Sequence, residues 1–187
     1  MATTQEEQRS TQSTASTQAP EKHETPKPQE EHRWLQKLVG DWTYEGEAPM
    51  KPGQAPEKFS GTETMRKIGE LWVVGEGRGP MPGGEEATSV LTLGYDPQRQ
   101  AFVGTWFGSM MTNLWVYEGS FDAGRRKLTL NTEGPSMQKE GELAKYREVI
   151  ELPDDERRTF TSYVQGEDGA WQQMMTMTYR RQGARTH

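Results

Sequence analysis

The stretch ATSVLTLGYDPQRQAFVGTWFGSMMTNLWVYEGS, residues 87–120, decides the fold. Its apolar residues come in short runs rich in Val, Leu, Phe, Trp and Tyr, broken at Tyr95-Asp96-Pro97-Gln98 and again around Ser109-Met110-Met111. Runs of this length and composition between such turn chemistry read as consecutive strands rather than helices. Three strands are expected here, near 87–95, 100–108 and 112–120.

The same grammar extends in both directions. Further strands are expected near 41–48, 58–68, 71–77, 126–132, 142–152, 157–165 and 170–181. Asp122-Ala123-Gly124, Pro153-Asp154-Asp155 and Glu167-Asp168-Gly169 punctuate them with Asx, Pro and Gly residues suited to turns. With no helical segment between strands, neighbours in sequence pair, and the expected architecture is an all-β antiparallel meander of roughly ten strands. Gly75-Glu76-Gly77-Arg78-Gly79-Pro80 with Gly83-Gly84 reads as a flexible connection; neither a following helix nor a Lys-Ser or Lys-Thr pair makes it a phosphate loop.

Before Trp34 the chain changes character. Residues 1–33 contain no Val, Ile, Leu, Phe, Trp or Tyr, and residues 1–30 are rich in Thr, Gln, Ser, Glu and Pro, a composition that cannot offset the entropy of ordering. They are expected to form a disordered tail, followed by one barrel domain over 31–182 and a disordered end at 183–187. Trp34, Leu35 and Leu38 lie at helical spacing ahead of Gly40, so a short amphipathic helix over Glu31–Val39 is expected to close one barrel end.

Composition limits function. A net charge of -6 argues against nucleic-acid binding, which needs a basic face. There is no cysteine, so disulfides, thiol nucleophiles and thiolate metal sites are excluded. The histidines are His23, His32 and His187, none in an expected strand, which removes a barrel haem ligand, a His-based zinc site and a Ser-His-Asp triad. No metal and no cofactor is implied. The start MATTQEEQRS lacks a basic segment followed by an apolar one, and no stretch is long enough to span a bilayer, so a cytoplasmic location without membrane association is expected.

Leu38-Val39-Gly40-Asp41-Trp42 resembles the Gly-x-Trp start of calycin barrels, and Tyr179-Arg180-Arg181 their closing strand. Gly61-Thr62-Glu63-Thr64, Leu93-Gly94-Tyr95-Asp96, Gly104-Thr105-Trp106, Gly108-Ser109-Met110-Met111, Leu114 to Gly119, Gly134-Pro135-Ser136-Met137 and Lys145 to Val149 extend the likeness. In this order and spacing they resemble the bacterial domain of unknown function 1579, over about residues 34–182. The resemblance implies a lipocalin-like barrel, with Trp42 capping the closed end beside Arg181, and by analogy a small lipophilic ligand. It brings no catalytic residues.

Alternation nominates the residues that share the inner face. Trp106, Met111, Asn113, Trp115, Tyr117, Tyr146 and Met175 are the candidate ligand contacts, with Met111 and Asn113 at the barrel mouth. A filled core and a ligand cavity both fit this lining. Glu63 and Glu148 fall on the same faces and are the candidate catalytic groups, unless Arg147, Arg66, Arg180 or a backbone donor holds them structurally. Three functions follow: a binding module for a small, mostly apolar molecule, a small acid/base enzyme, or an interaction protein with a filled barrel. A homodimer is compatible with each.

Overall fold

The computed structural model describes residues 26–48, 55–81 and 84–183. One helix, α1 (Glu30–Gln36), precedes ten strands: β1 (Gly40–Ala48), β2 (Glu57–Ile68), β3 (Trp72–Pro80), β4 (Glu86–Asp96), β5 (Ala101–Gly108), β6 (Trp115–Phe121), β7 (Lys127–Pro135), β8 (Leu143–Glu151), β9 (Arg157–Gln165) and β10 (Trp171–Arg181). Each strand pairs antiparallel with its sequence neighbours, and β1 also pairs with β10, which closes the sheet into a barrel. The expected all-β meander is the observed fold. Of the tail expected over 1–30, residues 1–25 lie outside the described residues and Glu30 already belongs to α1; of the end expected over 183–187, residues 184–187 lie outside them.

The turns form where their chemistry predicts. Asp96 Oδ1 accepts from the Gln98 amide at 2.9 Å, Asp122 Oδ1 from the Arg126 amide at 2.8 Å, and Asp168 Oδ1 from the Ala170 amide at 3.0 Å. A local carboxylate thus satisfies amides that the reversing chain takes out of the ladder.

One expectation is corrected. The glycine-rich stretch is not a flexible loop, because β3 runs through Gly75 to Pro80 and pairs with both β2 and β4. Gly75, Gly77 and Gly79 stand two apart, so all three face inward while Glu76 and Arg78 face out. Neighbouring side chains occupy the space: a Cβ on Gly75 would lie 2.2 Å from Met65 Sδ, and one on Gly79 would lie 2.6 Å from the Tyr44 hydroxyl. The period-two signal was present, carried by missing side chains rather than apolar ones.

The closed end holds the densest part of the core. Trp34, Leu35 and Leu38 are buried there, and the Trp34 ring meets Phe121 edge-on at 5.1 Å. Burial of side chains of this size stabilises the fold by about 1.5 to 3 kcal/mol each. Trp42 is fully buried and its indole N–H donates to the Leu38 carbonyl at 2.9 Å. The Arg181 guanidinium lies 4.2 Å from the Trp42 ring centroid and donates to the carbonyls of Val39 (2.6 Å), Lys37 (2.9 Å) and Asp155 (2.7 Å). Gly40 makes room for it, since its φ is +140° and a Cβ would lie 2.3 Å from Arg181 Nη1.

Arg181 therefore ties the last strand to the helix exit and to the β8–β9 turn. We expect Arg181→Met to lower stability by about 2 to 4 kcal/mol, as three charge-assisted bonds and a ring contact are lost. Arg181→Lys recovers less than half, because an ammonium lacks the planar fork. Urea denaturation of the two variants measures both.

Candidate functional site

The inner wall of the barrel changes along its axis. Near α1, Trp42, Met65, Val73, Leu93, Phe102, Leu128, Leu130 and Ile150 are at most 2% exposed. Toward the opposite end, Tyr44, Phe59, Trp106, Trp115, Phe160, Val164, Met175 and Met177 are only half-buried although they share the same inner face. The inner face is fully buried beneath the helix, and several of its side chains are less buried toward the β5–β6, β7–β8 and β9–β10 connections.

Of the expected lining residues, Trp106, Trp115 and Met175 are half-buried, whereas Tyr146 is only 3% exposed although it packs beside Trp115. Trp106 sits opposite Trp115 across β5 and β6, and the Trp115 ring meets Tyr146 at 4.8 Å, nearly perpendicular. Tyr146 donates its hydroxyl to the Pro135 carbonyl at 2.6 Å, which fixes the ring. Tyr117 is deeper and buried; Met175 stands opposite Ser162 and is half-buried. Met111 lies outside the strands, exposed, its sulfur accepting from the Trp115 indole N–H at 3.2 Å. Asn113 lies beside it at the mouth, and its buried amide nitrogen has no protein partner.

The two glutamates have different surroundings. Glu63 is buried and paired with Arg158, itself 3% exposed, whose guanidinium also lies 3.8 Å from the Tyr179 ring centroid and 5.0 Å from that of Trp42. Glu63 is thus a structural anion. Its partner is none of the expected Arg147, Arg66 or Arg180: Arg147 points outward and stacks on Trp171 at 4.0 Å. Arg158 alternates in phase with Phe160, Ser162 and Val164, so the period of β9 carried the signal for it.

Among the described residues Glu148 has no cation paired with it. It is 6% exposed; Oε1 accepts from the Ser162 hydroxyl at 3.1 Å, while Oε2 has no protein partner. Burial pushes its carboxyl up to about 8, with the Ser162 bond opposing the shift. The phenols of Tyr117 and Tyr146 are raised mainly by burial, with the Glu148 charge adding to the rise and, for Tyr146, a backbone hydrogen bond opposing it. At neutral pH the group is therefore mainly a neutral acid able to donate or accept.

Of the two, Glu63 is ion-paired with Arg158, whereas Glu148 forms no salt bridge among the described residues. Outside the lumen, a groove of about 420 Å³ lies on the outer sheet surface between Trp72, Thr92, Val103, Val116 and Glu118. Neither inner-face glutamate lines it. Among the described residues no helix is long and apolar enough to cross a membrane.

The model for a protein family of unknown function, DUF1579, matches residues 27–181. Among solved structures, Rv2717c from M. tuberculosis superposes with a TM-score of 0.53 at 14% identity, covering 81% of this chain and 96% of that one, a likeness of fold. A de novo designed fluorescence-activating β-barrel gives a TM-score of 0.44 at 11% identity, covering 79% and 96%. A redesigned β-barrel, mFAP1, bound to DFHBI, gives 0.40 at 16% identity, covering 79% and 97%. No curated protein matches the chain in sequence.

Two predictions follow from the glutamates. Glu63→Gln leaves Arg158 buried without its anion and is expected to cost about 3 to 5 kcal/mol, while adding Arg158→Met recovers much of that loss; a double-mutant cycle by chemical denaturation checks it. Glu148 keeps its proton to about 8 when folded but releases it near 4.5 when unfolded. The unfolded state then binds fewer protons between these values, so stability falls by a few kcal/mol as pH rises through that window. Glu148→Gln flattens this dependence, as thermal melts across the range will show.

Proposed function

We propose that this chain, which belongs to the DUF1579 family of proteins of unknown function, binds a small, mostly apolar molecule in the open half of its lumen. The observation that carries the reading is the graded exposure of one continuous inner face, from at most 2% beneath the helix to half-buried aromatic and Met side chains beyond it. Aromatic rings left half-buried inside a barrel are apolar area still available to a ligand, and each completes its burial only when one enters. Trp106, Trp115, Tyr117, Tyr146 and Met175 are its walls in this reading, with Met111 and Asn113 at the mouth. The mouth is lipophilic: Met110, Met111 and Leu114 of the β5–β6 connection and Met137 of the β7–β8 connection are exposed. Methionine adapts its shape, which suits an entry used by apolar molecules. A cytoplasmic location, expected from the sequence, belongs to the same proposal.

The test is displacement of a lipophilic naphthalene-sulfonate dye from the folded protein, with native mass spectrometry for co-purified ligand. Dye uptake reduced at least about tenfold (about 1.4 kcal/mol) by Met175→Trp, which fills the open half, is the expected result. A wild-type protein that takes up neither dye nor ligand, or a filled variant that binds as well as wild type, overturns the proposal.

A further inference from the structure

Two carboxylates face the lumen of this barrel, and they stand in similar company. Glu63 is paired with Arg158, and that guanidinium lies against the rings of Tyr179 and Trp42. This is an aromatic and carboxylate box with its cation in place. Glu148 is likewise buried on the inner face, its charge felt by the phenols of Tyr117 and Tyr146, with Trp115 stacked edge-on against Tyr146. One of its oxygens is held by Ser162 and the other is unpartnered.

The strands around Glu148 carry no unengaged cation on their inner faces. The inner-face residues of β7 are Leu128, Leu130, Thr132 and Gly134; those of β10 are Met175, Met177, Tyr179 and Arg181, the last held at the closed end by the carbonyls of Lys37, Val39 and Asp155. On β9 the inner-face cation is Arg158, already engaged by Glu63. The titratable groups that face Glu148 are the phenols of Tyr117 on β6 and Tyr146 on its own strand.

We infer that the ligand of the lumen is a lipophilic amine, whose ammonium group pairs with Glu148 while its apolar body lies against Trp106, Trp115 and Met175. The inference rests on the lumen-binding reading above. Its ground is the second box, which repeats the chemistry of the first without its cation. A neutral hydrogen-bonding ligand needs only a hydroxyl or amide from the wall, whereas a buried carboxyl is costly to keep and repays that cost against a charge. Aromatic faces next to it favour an ammonium further.

Binding is then linked to protons. Glu148 is mainly protonated at neutral pH, so an ammonium ligand enters as the carboxyl releases its proton to solvent. Affinity for the cation rises with the ionised fraction of Glu148, by about 50-fold from pH 6 to pH 8, and levels off above that.

The experiment compares two probes of one shape, naphthylmethylamine, cationic at these pH values, and neutral naphthylmethanol, by calorimetry at pH 6 and pH 8 in buffers of different ionisation heat. The expected result is that the amine binds more tightly at pH 8, loses most of its advantage at pH 6 and releases close to one proton per site at pH 6. Glu148→Gln removes the advantage and the proton release while naphthylmethanol still binds. Equal affinities at both pH values, or tighter binding of the alcohol throughout, overturn the amine assignment and leave lumen binding standing. Binding of neither probe overturns both readings. The proton release is measured on the wild-type protein and needs no variant to fold.

Discussion

Everything in this barrel depends on the seam between the first strand and the last. A meander of nine hairpin-joined contacts still has two edges, each presenting unpaired amides and carbonyls, until β1 and β10 meet. The seam is registered by Trp42 opposite Arg181 and Tyr44 opposite Tyr179. Arg181 secures it from outside the ladder, because its three acceptors belong to the helix exit and to the turn before β9. One side chain thus couples closure of the sheet to placement of the plug at its end. The plug in turn closes that end of the barrel with the buried side chains of Trp34, Leu35 and Leu38.

The fold was legible because each strand announces itself twice, by its apolar alternation and by the turn that ends it. Asp96, Asp122 and Asp168 both mark and build their turns, so reading them located the strand ends to within a few residues. The inner face was legible for the same reason, and the structure places Trp106, Trp115, Tyr117, Tyr146 and Met175 on it. What escaped was written in less familiar letters. Gly75, Gly77 and Gly79 alternate as faithfully as any Val-Thr-Val run, yet an inner face made of hydrogen atoms has the composition of a loop. Arg158 was missed because a cation in phase with apolar residues reads as an exception until its anion, 95 residues away in sequence, is brought beside it. Long-range pairing of this kind has no local signature.

The two inner glutamates show how one residue type takes different work from its surroundings. At the closed end, where water is excluded by Trp42 and Tyr179, an ion pair is bearable only because Arg158 also rests on those rings. Toward the middle of the lumen Glu148 lacks such a partner and answers burial by holding its proton. The hydroxyl of Ser162, directly across the β8–β9 ladder, orients it without neutralising it.

The glycines of β3 have a consequence for how the interior is divided. In the closed ring of ten strands β3 and β8 are five places apart in either direction, so they face each other across the axis. On the β3 side Met65 leans over Gly75, Ser89 over Gly77 and Tyr44 over Gly79, each lying along the wall instead of reaching toward the axis. These glycines are berths. They keep long side chains moored flat, and the clearance inside the barrel is set by residues that contribute no atoms to it. A single methyl at Gly75 would lie 2.2 Å from the Met65 sulfur and force that side chain to repack within the filled end of the core. Glu148 on β8 stands on the opposite wall, bonded across the ladder to Ser162 of β9.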